Sequence, residues 1–116
     1  MKTTYTRSQA MRLIPLLEGI VREVHERRQA IRTTEELIHA LTISSSVHGD
    51  EVRRKRAQLA RQRLELKRVG NELAALGCSL TLTDPFEIYI PGDDEGYGWR
   101  PGETFLRHAS IEPFAA

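Results

Sequence analysis

Two long stretches repeat apolar residues every three or four positions, and that rhythm constrains the fold more than any other feature of the chain. In the first, Ala10, Ile14, Leu17, Val21, Val24, Ile31 and Ile38 follow one another, with Arg28 and Glu35 standing where two further apolar residues would fall. In the second, Val52, Leu59, Leu66, Val69, Leu73 and Leu76 form a heptad seam with Lys55 and Gln62 at its two missing positions. The link between them, Thr42 to Gly49, has low helix propensity and ends in glycine, so the two helices must run antiparallel. The expected bounds are a helix over about 7–43, a tip over about 44–50 and a second helix over about 51–76. If seam positions pair so that their numbers sum to about 90, Glu35 faces Lys55 and Arg28 faces Gln62, giving matched polar layers.

The helix ends carry their own signals. Thr6 and Gln9 have capping-box spacing, Asp50 is placed to cap the second helix, and Gly77 suits a left-handed terminator. Pro15 lies too deep to be a first-turn proline and removes the hydrogen bond to Met11, so a kink is expected there. After Gly77 the period shortens to two. Leu80 and Leu82 alternate with Thr81 and Thr83, Phe86, Ile88 and Ile90 alternate with Glu87 and Tyr89, and Thr104 to Arg107 is a further candidate strand. The expected fold is mostly α (α+β), a long antiparallel helical hairpin followed by a small antiparallel β meander, with short strands over about 79–108 and one domain over 1–116. The meander is expected at the end of the hairpin away from the serine tip, with Trp99 anchoring it on the helices and Gly102 making a turn.

Several of these residues also form a pattern of known kind. Tyr5-Thr6-x-x-Gln9-Ala10-x-x-Leu13-Ile14-Pro15-Leu16-Leu17 resembles the aromatic-Thr-x-x-Glu-Ala-x-x-Leu-Leu-Pro opening of an uncharacterised bacterial family, the domain of unknown function twenty-two-zero-three. Leu76-Gly77-Cys78 is similar to that family's Leu-Gly-x junction, and Trp99-Arg100-Pro101-Gly102-Glu103 to its Trp-Arg-x-Gly-Glu motif. His108 and Phe114-Ala115 follow in the family's order, although the interval from Trp99 to His108 is shorter and Arg107 replaces an aromatic residue. The resemblance implies the architecture and brings no established reaction.

Chemistry-bearing residues are few. Glu36 and His39 have the spacing of a helical metal-ligand pair, but the second helix lacks a histidine to complete such a site, and no metal or cofactor is expected. His48 and Asp50 are explained by turn and cap chemistry. Cys78, alone and between a helix terminator and a strand, suits a small buried side chain better than a reactive thiolate. Trp99, Glu103 and His108 form a candidate pocket if the last strands pair as a hairpin, offering an aromatic wall, a carboxylate and an imidazole.

The formal charge of +1 conceals a segregation, for residues 51–68 hold 8 basic and 2 acidic side chains whereas residues 84–116 hold 2 and 7. Arg53, Arg54, Lys55 and Arg56, continued by Arg61 and Arg63, crowd the start of the second helix, where the macrodipole already presents positive charge. They need compensation, and these residues are the candidate interaction surface. Leu13, Leu16, Ile20, Leu37, Leu41, Ala57, Ala60 and Leu64 lie off or beside the seam. A helix of about 36 residues extends about 54 Å, too far for a small meander to cover. The functional expectation is therefore a non-enzymatic, self-associating helical interaction module, a homodimer forming a four-helix bundle, whose basic second helix meets an acidic protein partner. A nucleic-acid-binding protein using that helix is the alternative, and a small-molecule enzyme at the C-terminal strands is third. No segment is long and apolar enough for a membrane span, and the cytoplasm is the expected location.

Overall fold

The computed structural model of the chain describes residues 4–44, 49–81 and 86–109. Its elements are α1 (Arg7–Ser44), α2 (Gly49–Ala75), β1 (Ser79–Thr81), β2 (Glu87–Ile90), β3 (Gly96–Trp99) and β4 (Arg107–Ala109). The strands form one antiparallel sheet in the order β1-β2-β3-β4, the expected meander after two long helices. Two compact units divide the chain: residues 1–21 with 71–116, and residues 22–70. Both helices run from one into the other.

In the first unit, local chemistry sets the helix ends as the sequence requires. The Gln9 side chain accepts from the Thr6 amide (2.9 Å), and the Gln9 amide donates back to the Thr6 hydroxyl (3.2 Å). At the end of α2, Gly77 takes φ 79°, its amide donating to the Ala74 carbonyl at 2.9 Å and that of Cys78 to Leu73 at 3.3 Å. These are the two bonds of a Schellman motif, and they turn the chain from helix into β1. α1 continues through Pro15. Both Pro15 and Met11 lie on its exposed side, where water can serve the carbonyl that proline leaves without a donor.

The sheet buries one face. Ile88, Ile90 and Trp99 are fully buried and Leu106 nearly so, joining Ala10, Leu17, Ile20, Val21, Leu73 and Cys78 as the core of this unit. The Tyr5 amide donates to Pro91 O (2.8 Å), its hydroxyl to Leu76 O (2.7 Å), and Arg7 to Leu106 O (3.0 Å). The N-terminal segment thus ties sheet and helix ends together. Ile20, expected beside the seam, is 5 % exposed and belongs to the core.

Two strands differ from the sequence reading. β3 contains Gly96 and Gly98, poor strand residues, yet a Cβ at Gly96 would collide with the ring of Tyr89, and one at Gly98 would lie 2.7 Å from Glu87 Oε1. The Tyr89 ring fills the space at Gly96, whereas at Gly98 a Cβ would have to displace the end of the Glu87 side chain. β4 begins at Arg107, so Thr104 and Phe105 of the candidate strand lie before it, both exposed. Leu82 and Thr83 fall outside the described residues, as do Ser45, Ser46, Val47 and His48 of the expected tip, and Phe114 and Ala115.

In the second unit, Val24, Thr34, Leu59 and Val69 are buried, with Ile31, Ile38, Leu41, Val52 and Leu66 half-buried. Thr34, rather than Glu35, takes the inward position on α1. Its hydroxyl donates to the Ala30 carbonyl (3.0 Å), so this polar group brings its own partner into the core. Glu35 pairs with Arg63 (3.1 Å) and not with Lys55, whose ammonium donates to Gln58 at 3.4 Å. The matched Glu35–Lys55 layer is therefore absent. Asp50 lies inside the first turn of α2, which begins at Gly49, and pairs with Arg53 (3.6 Å) instead of capping the helix.

Candidate functional site

The Trp-Arg-x-Gly-Glu motif builds a closed turn. Gly102 adopts φ 91°, which brings the Glu103 amide to the Arg100 carbonyl (3.0 Å) and the Trp99 indole N–H to the Glu103 carbonyl (2.9 Å). The Glu103 carboxylate accepts from the Arg100 amide (2.8 Å) and from Arg107 (3.1 Å), which also donates to Glu87 (2.8 Å). Burial works to lower the Arg107 pKa, but the bonds to Glu87 and Glu103 and the attraction of both carboxylates raise it overall. The guanidinium is thus clamped over Gly98. Each group of the motif is used to hold the turn and strands together.

His108 pairs with Glu95 and not with Glu103. In the β3–β4 register Tyr97 faces His108 and Gly98 faces Arg107, and successive strand residues point to opposite faces. Arg107 therefore reaches Glu103, whereas His108 lies on the face of Tyr97 and Trp99 at the end of the strand order, 71 % exposed, 3.6 Å from Glu95 and tilted against the Tyr97 ring. Of the candidate pocket residues, Trp99 and Glu103 are joined in this turn, and His108 lines a cleft. That open cleft, about 530 Å³, is bounded by Tyr5, Thr6, Arg7, Asp93, Asp94, Glu95, Tyr97 and His108. Thr4 donates to Asp93 at its edge (2.8 Å). The acidic run 93–95 reads in the sequence as a turn, and only the sheet brings the capping segment of α1 beside it.

Cys78 is buried and its thiol is pushed up from 9.0 to about 11 by desolvation. Its sulfur lies 3.9 Å from the Leu76 carbonyl that also accepts from Tyr5. Burial, and then the proximity of Cys78, raises the Tyr5 pKa in turn. The thiol is protonated at neutral pH, consistent with a packing residue. Glu36 and His39 are exposed on α1, and among the described residues no group of three or more His, Cys, Asp or Glu side chains is placed to hold a metal ion.

The basic residues lie on the second unit, the helical arm of residues 22–70. Arg53, Arg54, Arg56, Arg61 and Arg63 are exposed and Lys55 is half-buried. Arg53 and Arg63 have the carboxylate partners described above; among the described residues no ion pair engages Arg54, Arg56, Arg61, Lys67 or Arg68. On the opposite side of the helix pair Arg27 bridges Glu23 (3.3 Å) and Glu65, a largely neutralised cluster. The helix dipole and its own acids, Asp50 and Glu51, are thus met by more positive charge than the arm itself compensates.

Residues 3–112 match the family described as "Uncharacterized conserved protein (DUF2203)", and the chain belongs to it. Among curated proteins and among solved structures nothing matches. The Trp99–Glu103 turn, the Gly77 junction and the Thr6–Gln9 cap are the places where the family resemblance of the sequence meets this structure, and all three act in folding. No helix among the described residues is long and apolar enough to cross a membrane.

Proposed function

We propose that this chain is a non-enzymatic, self-associating helical interaction module, assembled as a homodimer through its helical arm. The observation that carries the reading is the thin core of residues 22–70. Leu37, Ile43 and Leu64 are 44, 71 and 53 % exposed there, and the seam residues Ile31, Ile38, Val52 and Leu66 are only half-buried. Two helices packed on each other cover one side of each, and a second pair laid against them by a two-fold axis buries what remains. Side chains with chemical potential support the non-enzymatic part: Trp99, Glu103 and Cys78 are engaged in packing and turn formation.

Light scattering on the purified chain at tens of micromolar tests this. The expected mass is twice 13.2 kDa. A monomer at that concentration overturns the proposal, and so does a dimer that survives Leu37→Glu combined with Leu64→Glu, because its interface would then lie elsewhere.

A further inference from the structure

We infer that one side of the helical arm is a docking surface for the phosphate backbone of a nucleic-acid duplex. The Glu35–Arg63 pair defines that side, because it fixes which flank of α1 adjoins which flank of α2. Along α2, Arg53, Arg56, Arg63 and Lys67 recur on it with Ala60 among them, at the three- and four-residue steps that keep side chains on one face. Along α1, Arg32 stands one turn before Glu35. All five cations are exposed; Glu35 pairs with Arg63 and Asp50 with Arg53, and the other three have no ion pair among the described residues.

From Arg53 to Lys67 the α2 cations extend over 14 helical steps, about 21 Å, and Arg32 stands across from this row at a helix–helix distance of about 8–10 Å. That separation lies within the range of duplex groove widths, about 6 to 12 Å between the phosphate rows. Four of the five are arginines, whose planar forks match phosphate oxygens. A protein partner is a poorer fit. Protein interfaces take their affinity from buried aromatic and aliphatic anchors, and the described residues of this side offer only Ala60, whereas phosphate contacts need none. The absence of aromatic residues among these cations further implies backbone contact without base readout. The inference is independent of self-association, since each arm carries the whole surface.

Two variants with equal loss of charge test it. The first is Arg32→Gln, Arg56→Gln and Lys67→Gln, on the proposed side, sparing the Arg63 ion pair. The second is Arg54→Gln, Arg61→Gln and Arg68→Gln, on the outer face of α2. Binding of a fluorescent duplex oligonucleotide is followed by anisotropy at 150 mM salt, with circular dichroism showing that both variants remain helical. The expected result is duplex binding by the parent chain that weakens about tenfold or more in the first variant and less than threefold in the second. The slope of log affinity against log salt should also fall by about 2 to 3 in the first variant, close to one released counterion per lost contact. Equal losses in the two variants would reduce the effect to net charge and overturn the inference. No duplex binding by the parent chain, or equally tight binding of poly-glutamate, would also overturn it, the latter in favour of an acidic protein. Light scattering on both variants keeps the outcome distinct from that of the dimer proposal.

Discussion

Among the described residues, ten buried apolar side chains form the core of the unit made by residues 1–21 and 71–116, whereas in residues 22–70 only Val24, Leu59 and Val69 join Thr34 in being buried. The charges divide in the opposite sense, with 12 basic and 7 acidic residues in the arm against 5 and 9 in the rest of the chain. The difference follows from architecture. A sheet closed against helix ends encloses its apolar face from two layers, and the N-terminal segment seals it by hydrogen bonds from Tyr5 and Arg7. A bare helix pair has one internal seam and leaves most of its circumference to solvent. The unit with the rich core therefore spends its polar residues on internal clamps, such as Glu87–Arg107–Glu103. Side chains of the arm point outward and remain available for contacts with other molecules.

The strongest challenge to this contrast is a pair of core truncations. Trp99→Ala should cost about 3–5 kcal/mol in urea unfolding, because the indole is fully buried and its N–H is bonded. Ile38→Ala, at a half-buried position of the arm, should cost about 1–2 kcal/mol. Equal costs would mean that the arm is covered in solution, which would erase the contrast and support the dimer. Alkaline pH probes the sheet unit more gently. Cys78 retains its proton to about pH 11 in the folded chain but loses it near 9.0 when unfolded, so the unfolded state binds fewer protons between these values. Stability should fall as pH rises from 9 to 11, by at most about 1 kcal/mol per pH unit, and level off above that window. Tyr5 acts in the same direction, so the readout is the difference between the parent chain and Cys78→Ala. An identical slope in both would show that the thiol is not desolvated. The smallest effect concerns the arm: Gln62 Oε1 is buried and accepts no hydrogen bond among the described residues. Gln62→Leu should stabilise by about 1 kcal/mol, raising the midpoint of thermal unfolding. A lowered midpoint would show that the amide has a partner in the assembled protein.

The glycines of β3 show how tertiary context overrides local preference. Gly96 and Gly98 are poor strand residues by local preference, since glycine weakens strands and offers no side chain to pack. Tyr89 on β2 covers the first, and Glu87 and Arg107 occupy the space above the second. A neighbour's side chain fills the space a Cβ would need, and that neighbour lies seven or more residues away. The acidic cleft escaped the sequence for a related reason, because Tyr5–Arg7 and Asp93–Glu95 are separated by almost the whole chain.

What the sequence by itself determined are relations of short range or strict period: the two helices, the Thr6–Gln9 box, the Gly77 terminator, the Gly102 turn and the existence of a meander. Each depends on residues within about five positions of one another, or on an apolar rhythm sustained over many turns. The tertiary structure decided among alternatives that such rules leave nearly equal. Thr34 or Glu35 can follow Ile31 at helical spacing, and the seam took the threonine because its hydroxyl can bond to its own helix while a carboxylate prefers water and Arg63. Arg107 or His108 can approach Glu103 by sequence distance, and the strand register chose the arginine. A pleated strand sends adjacent residues to opposite faces, so pairing Gly98 with Arg107 placed His108 beyond the carboxylate's reach.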